Sequence, residues 1–239
     1  MLQAIPFEEL RVAITGGTSG LGLALVRQLS ARGARVAFVA RTPAAVARTA
    51  ADTAAHGIVG DVGRKEDIHP IALQVTGALG GLDILVNNAS SLGPTPLAPL
   101  ADTECEDLEA ALAVNLVGPF RLTKALFGSL AQSAREGRGA LVVNISSDAA
   151  TSACPLWGAY GSSKAALRHL TAIWAAEAEE VGVRFLSIDP GDMATPLHFL
   201  ALPDADPSKL QRPEEAGAKV LDRIIAALPR HGVAVVRHA

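Results

Sequence analysis

Short runs of β-branched and apolar residues recur at 11–15, 35–39, 58–62, 84–87, 141–145, 184–188 and 233–236, and alanine-rich stretches of helical length lie between them, among these 21–31, 66–79, 108–134, 159–181 and 213–228. Runs such as Leu141-Val142-Val143 show no polar alternation. Strands built from them must be buried on both faces, as the strands of parallel sheets are. Parallel neighbours need long crossover connections, and the intervening helices supply them. The pattern predicts an α/β chain with one doubly wound domain, about seven parallel strands and helices on both faces. In such a fold, ligands are received at the carboxyl ends of the strands.

Composition narrows the partners. Hydrophobic residues make up 49% of the 239 but aromatics only 4%, so the core must be built from Ala, Val, Leu and Ile. A net charge of -3 without a Lys/Arg cluster argues against nucleic acid and anionic membrane surfaces, and makes a small molecule the expected partner. Charges or glycines interrupt every apolar run before the ~18 residues of a membrane span. The first ten residues carry Glu8 and Glu9, with no basic segment leading into an apolar one. A soluble, cytoplasmic protein is the expectation. Cys105 and Cys154 are too few for a disulfide framework, and no Cys/His spacing marks a metal site, so free thiols and no metal are expected. Cys154 reads as a small buried residue and His198 as a surface or packing one. The proline-rich stretch 195–213 is a candidate substrate lid or a plain surface connection.

Three local patterns carry chemistry. The first run leads into T-G-G-T-S-G-L-G, in which Thr15, Gly16, Thr18, Ser19, Gly20, Leu21 and Gly22 span a turn and the start of a helix. Glycines there let backbone N–H groups approach a pyrophosphate, and the helix N-terminus adds partial positive charge. After the second run stands Ala40-Arg41, where a cofactor with a free 2′-hydroxyl would call for a carboxylate. The planar guanidinium of Arg41 suits a 2′-phosphate, which favours NADP over NAD. Tyr160 and Lys164, in Y-G-S-S-K, share one helical face. A fixed ammonium beside a phenol favours the phenolate and is expected to bring its pKa down from ~10.

Together these residues resemble the short-chain dehydrogenase/reductase family over 11–236, nearly the whole chain. The family's glycine motif matches Thr15, Gly16, Gly20 and Gly22. Asp61 and Val62 match its adenine-contacting pair. Asn87, Asn88 and Ala89 match its N-N-A-G motif, with Ser90 in place of the glycine. The resemblance implies a Rossmann-type fold and a catalytic tetrad of Asn115, Ser147, Tyr160 and Lys164, with Ser146 as the fallback serine. It assigns Pro190, Gly191 and Thr195 to the P-G-x-x-x-T segment, whose threonine contacts the nicotinamide carboxamide. It further implies that Tyr160 protonates a carbonyl oxygen as hydride arrives and that Ser147 steadies the oxyanion. Lys164 would tune the tyrosine and bond the nicotinamide ribose, and Asn115 would hold a relay water. An NADP-dependent carbonyl reductase or alcohol dehydrogenase is the leading reading. The alternative is a nucleotide-binding regulatory or structural protein on the same fold. A homodimer or homotetramer packed through the helices bearing Asn115 and Tyr160 is also implied.

Overall fold

The computed structural model describes residues 7–228. In chain order the elements are β1 (Arg11–Thr15), α1 (Gly20–Ala31), β2 (Arg35–Ala40), α2 (Pro43–Thr53), β3 (His56–Val59), α3 (Lys65–Leu79), β4 (Ile84–Asn87) and α4 (Cys105–Leu112). A π turn (Ala113–Val117) then leads to α5 (Gly118–Arg135), β5 (Ala140–Ile145), α6 (Gly158–Glu177), β6 (Val183–Ile188), α7 (Pro196–Ala201) and α8 (Pro213–Ala227). The six strands of the described residues form one parallel sheet in the order β3-β2-β1-β4-β5-β6. The seventh expected strand, 233–236, lies outside the described residues.

Every residue of β4 and β5 is buried, as the unbroken apolar runs demand. One face of the sheet packs Val12, Ile14, Phe38 and Val143 against Leu25 and Leu29 of α1, Val46 of α2 and Val220 and Ile224 of α8. The other packs Ala13, Leu85 and Val142 against Ile71 and Val75 of α3, Leu122 and Leu126 of α5, and Trp174 of α6. The core is aliphatic, as the composition requires.

Several boundaries differ from the sequence expectation for identifiable reasons. The third strand ends at Val59 rather than 62. Gly60 N–H still donates to Ala40 O at 3.1 Å, but Asp61 N–H turns to the Asp67 carboxylate at 2.8 Å. The expected helix 108–134 starts earlier, at Cys105, and is broken by the π turn. From Cys105 to Arg135 it is long and apolar enough in composition to cross a bilayer, yet Leu122, Leu126 and Leu130 are spent on the sheet core. α2, one of the alanine-rich stretches between the runs, buries only Val46 and Thr49. The stretch 195–213 contains α7 and a 3₁₀ turn, Pro207–Lys209.

At the amino ends of the strands, opposite the site described below, Asp83 is fully buried. Its carboxylate accepts from Arg11 Nη2 at 2.7 Å, Arg11 Nε at 3.1 Å and Arg138 Nε at 3.3 Å, and also from the Ser133 hydroxyl. Burial alone would push this carboxyl up, but the hydrogen bonds from Arg11, Ser133 and Arg138 together hold it below its ordinary value. Asp83→Ala leaves those donors unpaired and is expected to cost about 3–5 kcal/mol in denaturant melts. Because the folded-state pKa is depressed, the stabilisation is present above the unfolded pKa of ~3.9 and is lost as pH falls through the folded value. The acid-induced loss of stability should therefore be shallower in Asp83→Asn than in wild type.

Candidate active site

β1 and β4 are neighbours whose outgoing connections run to opposite faces of the sheet, which opens a crevice at their carboxyl ends. A cavity of about 890 Å³ occupies it. Of the site residues expected from the sequence, all line this cavity except Thr15, Gly22 and Asn115. Those three stand behind it and hold its wall.

Thr15 Oγ1 accepts from the backbone N–H groups of Asn88 at 2.9 Å and Ala89 at 3.0 Å, and Asn88 Nδ2 donates to Thr15 O at 2.9 Å. The turns after β1 and β4 are thereby joined. Gly16 has a left-handed φ of 71°, and a Cβ on it would meet Ala89 Cα and Asn88 Nδ2 at 3.0 Å. A Cβ on Gly22 would stand 2.2 Å from Gly16 O, so only glycine lets α1 start this close to the turn. Ser19 occupies the N-cap of α1 but makes no side-chain cap bond. The first-turn N–H groups, next to the cavity-lining Gly20 and Leu21, are left to an anion. At the end of β2 the lining is Val39, Ala40, Arg41 and Thr42, with no carboxylate among them. The cradle fits a dinucleotide phosphate by shape and by its unpaired donors.

On α6, Tyr160 is 9% exposed and Lys164 is 2% exposed. Lys164 Nζ donates to Ile145 O at 2.8 Å and lies 5.5 Å from the centre of the Tyr160 ring. Burial pushes the Lys164 ammonium down to about 8. The phenol pKa is raised, not lowered as the pairing with lysine suggested. Burial is the main cause, hydrogen bonds from Ser147 and Ser90 pull the other way, and the Asp189 and Asp148 carboxylates add to the rise. Trp157 packs edge-on to the Tyr160 ring at 5.6 Å. Ser147 Oγ donates to Asp148 Oδ1 at 2.9 Å and accepts from Ala149 N–H at 3.2 Å. Ser146 also lines the cavity, but its buried hydroxyl has no hydrogen-bond partner.

Asn115 sits in the π turn, a local widening common at functional sites, and is fully buried. Its Oδ1 accepts from Ser91 N–H at 2.8 Å and Ser90 Oγ at 3.1 Å. Its Nδ2 donates to Ser91 O at 2.7 Å and Ser163 Oγ at 2.9 Å. Ser163 Oγ in turn donates to the main-chain oxygen of Tyr160 at 2.6 Å. The amide thus clasps the turn after β4 to the helix carrying the tyrosine.

Ser90, Ser91 and Ser163 take part in ways the sequence reading did not assign, as does a buried polar ladder under the site. In that ladder Asn87 Nδ2 donates to Asn144 Oδ1 at 2.8 Å, and Asn144 Nδ2 donates to Thr171 Oγ1 at 2.8 Å. The available signal was an asparagine inside each of two otherwise apolar runs, I-L-V-N and V-V-N-I. His198 lines the cavity with its Nδ1 3.9 Å from Asp192. Cys154 also lines it and is exposed, not buried as its size suggested. Both cysteines are free, and among the described residues no His/Cys/Asp/Glu cluster forms a metal site.

Comparison with known proteins agrees with this geometry. Residues 11–201 match the family model described as short chain dehydrogenase. The chain is 35% identical over 192 residues to a short chain dehydrogenase of Pseudocercospora fijiensis, covering 77% of this chain and 60% of that protein. It is 33% identical over 189 residues to 2,5-dichloro-2,5-cyclohexadiene-1,4-diol dehydrogenase of Sphingobium indicum, covering 78% and 73%. The 3-ketoacyl-(acyl-carrier-protein) reductase of Brucella melitensis, solved with NADH, superposes with a TM-score of 0.83 at 25% identity over 90% of each chain. With its parallel sheet, glycine turn and Tyr-x-x-x-Lys face, this chain belongs to the short-chain dehydrogenase/reductase family.

Proposed function

We propose that this protein is an NADP-dependent oxidoreductase that reduces a carbonyl to an alcohol, or runs the reverse oxidation, with Tyr160 as general acid or base. The observation that carries the reading is that Ser147, Tyr160 and Lys164 line the same cavity as the glycine turn. Relatives named for dehydrogenating a diol and for reducing a ketoacyl group support the reaction class. The nicotinamide supplies the hydride when bound.

Backbone N–H groups at Gly20 and Leu21 would take the pyrophosphate, with Thr18 and Ser19 beside them. Asp61 and Val62 would flank the adenine, and Pro190, Gly191 and Thr195 the carboxamide. Thr195 Oγ1 accepts from His198 N–H at 3.2 Å to cap α7, which leaves its O–H to donate. A phenol with a raised pKa is protonated at neutral pH, so Tyr160 stands ready to give its proton to a carbonyl oxygen. Ser147 turns its hydroxyl from Asp148 to the same oxygen as negative charge develops. Lys164, with its pKa near 8, carries its charge at neutral pH and loses it as pH rises through that value. All four hydrogen-bonding positions of the Asn115 amide are filled, so a relay water at this residue engages its main-chain carbonyl.

Leu92, Trp157 and Leu197 pack around Tyr160 and favour a carbonyl compound with an apolar body. The stretch 195–213 serves as the lid in this reading. Its first turn supplies Leu197 and His198 to the cavity, and Gln211 ties its far end to Pro190 O at 2.7 Å. Pairing of copies through α5 and α6 belongs to the same reading, since Phe120 and Ile173 leave apolar surface exposed there.

Tyr160→Phe is expected to lower kcat by about 10²–10⁴-fold while the dissociation constant for NADPH stays within twofold, and an active variant would refute the assignment. Arg41→Ala should weaken NADPH by about 10-fold or more and leave NADH nearly unchanged. A wild-type preference for NADH in the same titration would overturn the choice of cofactor. Lys164→Met removes a charge that burial disfavours, so its melting temperature at pH 7 should be no lower than wild type while turnover collapses.

A further inference from the structure

Ser146 follows Ile145, the last residue of β5, and is 6% exposed. Its N–H donates to Ile188 O at 2.7 Å, which holds it against the end of β6. Its buried hydroxyl has no hydrogen-bond partner. Among the described residues, the other buried side-chain polar atoms without one belong to Gln28, Ser30 and Trp174, and none of these lines the cavity, whereas Ser146 does. Taking a hydroxyl out of water without compensation is unfavourable, so an orphan at a cavity wall is expected where a ligand completes it. The groups beside it are engaged elsewhere. Ile145 O accepts from Lys164 Nζ at 2.8 Å, and Ser147 Oγ is taken up by Asp148 Oδ1 and Ala149 N–H.

The layout of the cavity selects the ligand that reaches this hydroxyl. In the reading above, the glycine turn after β1 takes the pyrophosphate, and Arg41 after β2 with Asp61 and Val62 after β3 take the adenosine half. β1 lies between β2 and β4 in the sheet, so the second half of a dinucleotide extends the other way, over β4 and β5. Ser146 stands at the end of β5, between Lys164 on α6 and the segment that leaves β6 through Pro190 and Gly191, and all of these line the cavity. Depth separates cofactor from substrate. Lys164 and Ser146 are buried in the floor, whereas Ser147 is half-buried and bonded to the exposed Asp148.

We infer that Ser146 is a cofactor-binding residue whose hydroxyl hydrogen-bonds the nicotinamide riboside half of the dinucleotide, at a ribose hydroxyl or at the carboxamide. It rests on the cofactor reading proposed above and gives Ser146 a role separate from that of Ser147. A serine hydroxyl gives one proton and offers two lone pairs, so it matches either group. The bond forms only with the cofactor in place. The hydroxyl therefore contributes to binding and is a cost to the free protein.

Isothermal titration calorimetry of Ser146→Ala and Ser146→Gly should show NADPH weakened about fivefold, with 2′,5′-ADP, which lacks the nicotinamide riboside, bound as in wild type. 2′-Phospho-ADP-ribose keeps the second ribose without the ring: weakened binding of it assigns the bond to the ribose, and unchanged binding assigns it to the carboxamide. If NADH binds more tightly than NADPH, the same comparison of NADH with ADP carries the test. Without ligand, Ser146→Ala should melt no lower than wild type, since it loses an unpaired polar group. A clearly lower melting temperature would give the hydroxyl a partner within the fold and overturn the inference. NADPH bound equally well by wild type and both variants would also overturn it, as would an equal loss for NADPH and 2′,5′-ADP, the mark of a general disturbance. An unchanged NADPH constant with a raised KM for the carbonyl would hand the hydroxyl to the substrate instead, against the inference. The binding titrations need no turnover. Selective loss of NADPH in a protein inert to every carbonyl and alcohol supplied would therefore sink the proposed function and leave the role of Ser146 standing.

Discussion

The buried Asn115 amide, with both oxygen lone pairs and both N–H groups engaged, decides where the turn after β4 and the helix α6 stand relative to each other. A primary amide removed from water has to find four partners or bear the cost of leaving them out. Here the four come from the turn after β4, through Ser90 and Ser91, and from α6, through Ser163. Ser163 passes the constraint to the backbone of Tyr160 itself. Two segments about 70 residues apart are therefore held by one side chain, and the widened π turn is the local backbone change that places that side chain among them.

Beneath the clasp, the sheet imposes a second constraint. Its central strands β4 and β5 are buried on both faces, so polar side chains there are tolerated only where they satisfy one another. The Asn87–Asn144–Thr171 ladder does this at the carboxyl ends of β4 and β5. It ties α6 to the sheet below Tyr160. At the amino ends Asp83 gathers Arg11, Ser133 and Arg138 in the same way. The two ends differ in consequence: the lower network is closed on itself, whereas the upper one leaves Ser147, Tyr160 and Lys164 facing a cavity.

Burial also sets the electrostatics of that cavity. A lysine with no carboxylate partner loses affinity for its proton, and a phenol beside Asp148 and Asp189 holds its proton more tightly. The simple picture of an ammonium lowering a neighbouring phenol, drawn from their four-residue spacing, neglects that both groups leave water. Desolvation acts on each before they act on each other. The hydroxyls of Ser147 and Ser90 are what oppose it at Tyr160, and only one of those two was visible as a site residue in the motif.

The alternation of apolar runs and alanine-rich stretches by itself pointed to a parallel sheet between helical layers, because unbroken apolar runs call for cover on both faces and helix-length crossovers between them supply it. The motifs at run ends located the glycine turn, Arg41, Asp61, Ser147, Tyr160 and Lys164, because strand ends are where such a fold must put its ligands. Where Asp61 leaves β3 and where the long helix widens around Asn115 were not legible, since both depend on hydrogen bonds to residues distant in the fold or hidden in turns. Tertiary structure alone decided that Ser90, Ser91 and Ser163 meet at one amide, that Cys154 and His198 face the cavity, and that the phenol is driven up. Pairings and desolvation are set by what arrives from elsewhere in the chain, and local spacing carries no record of it.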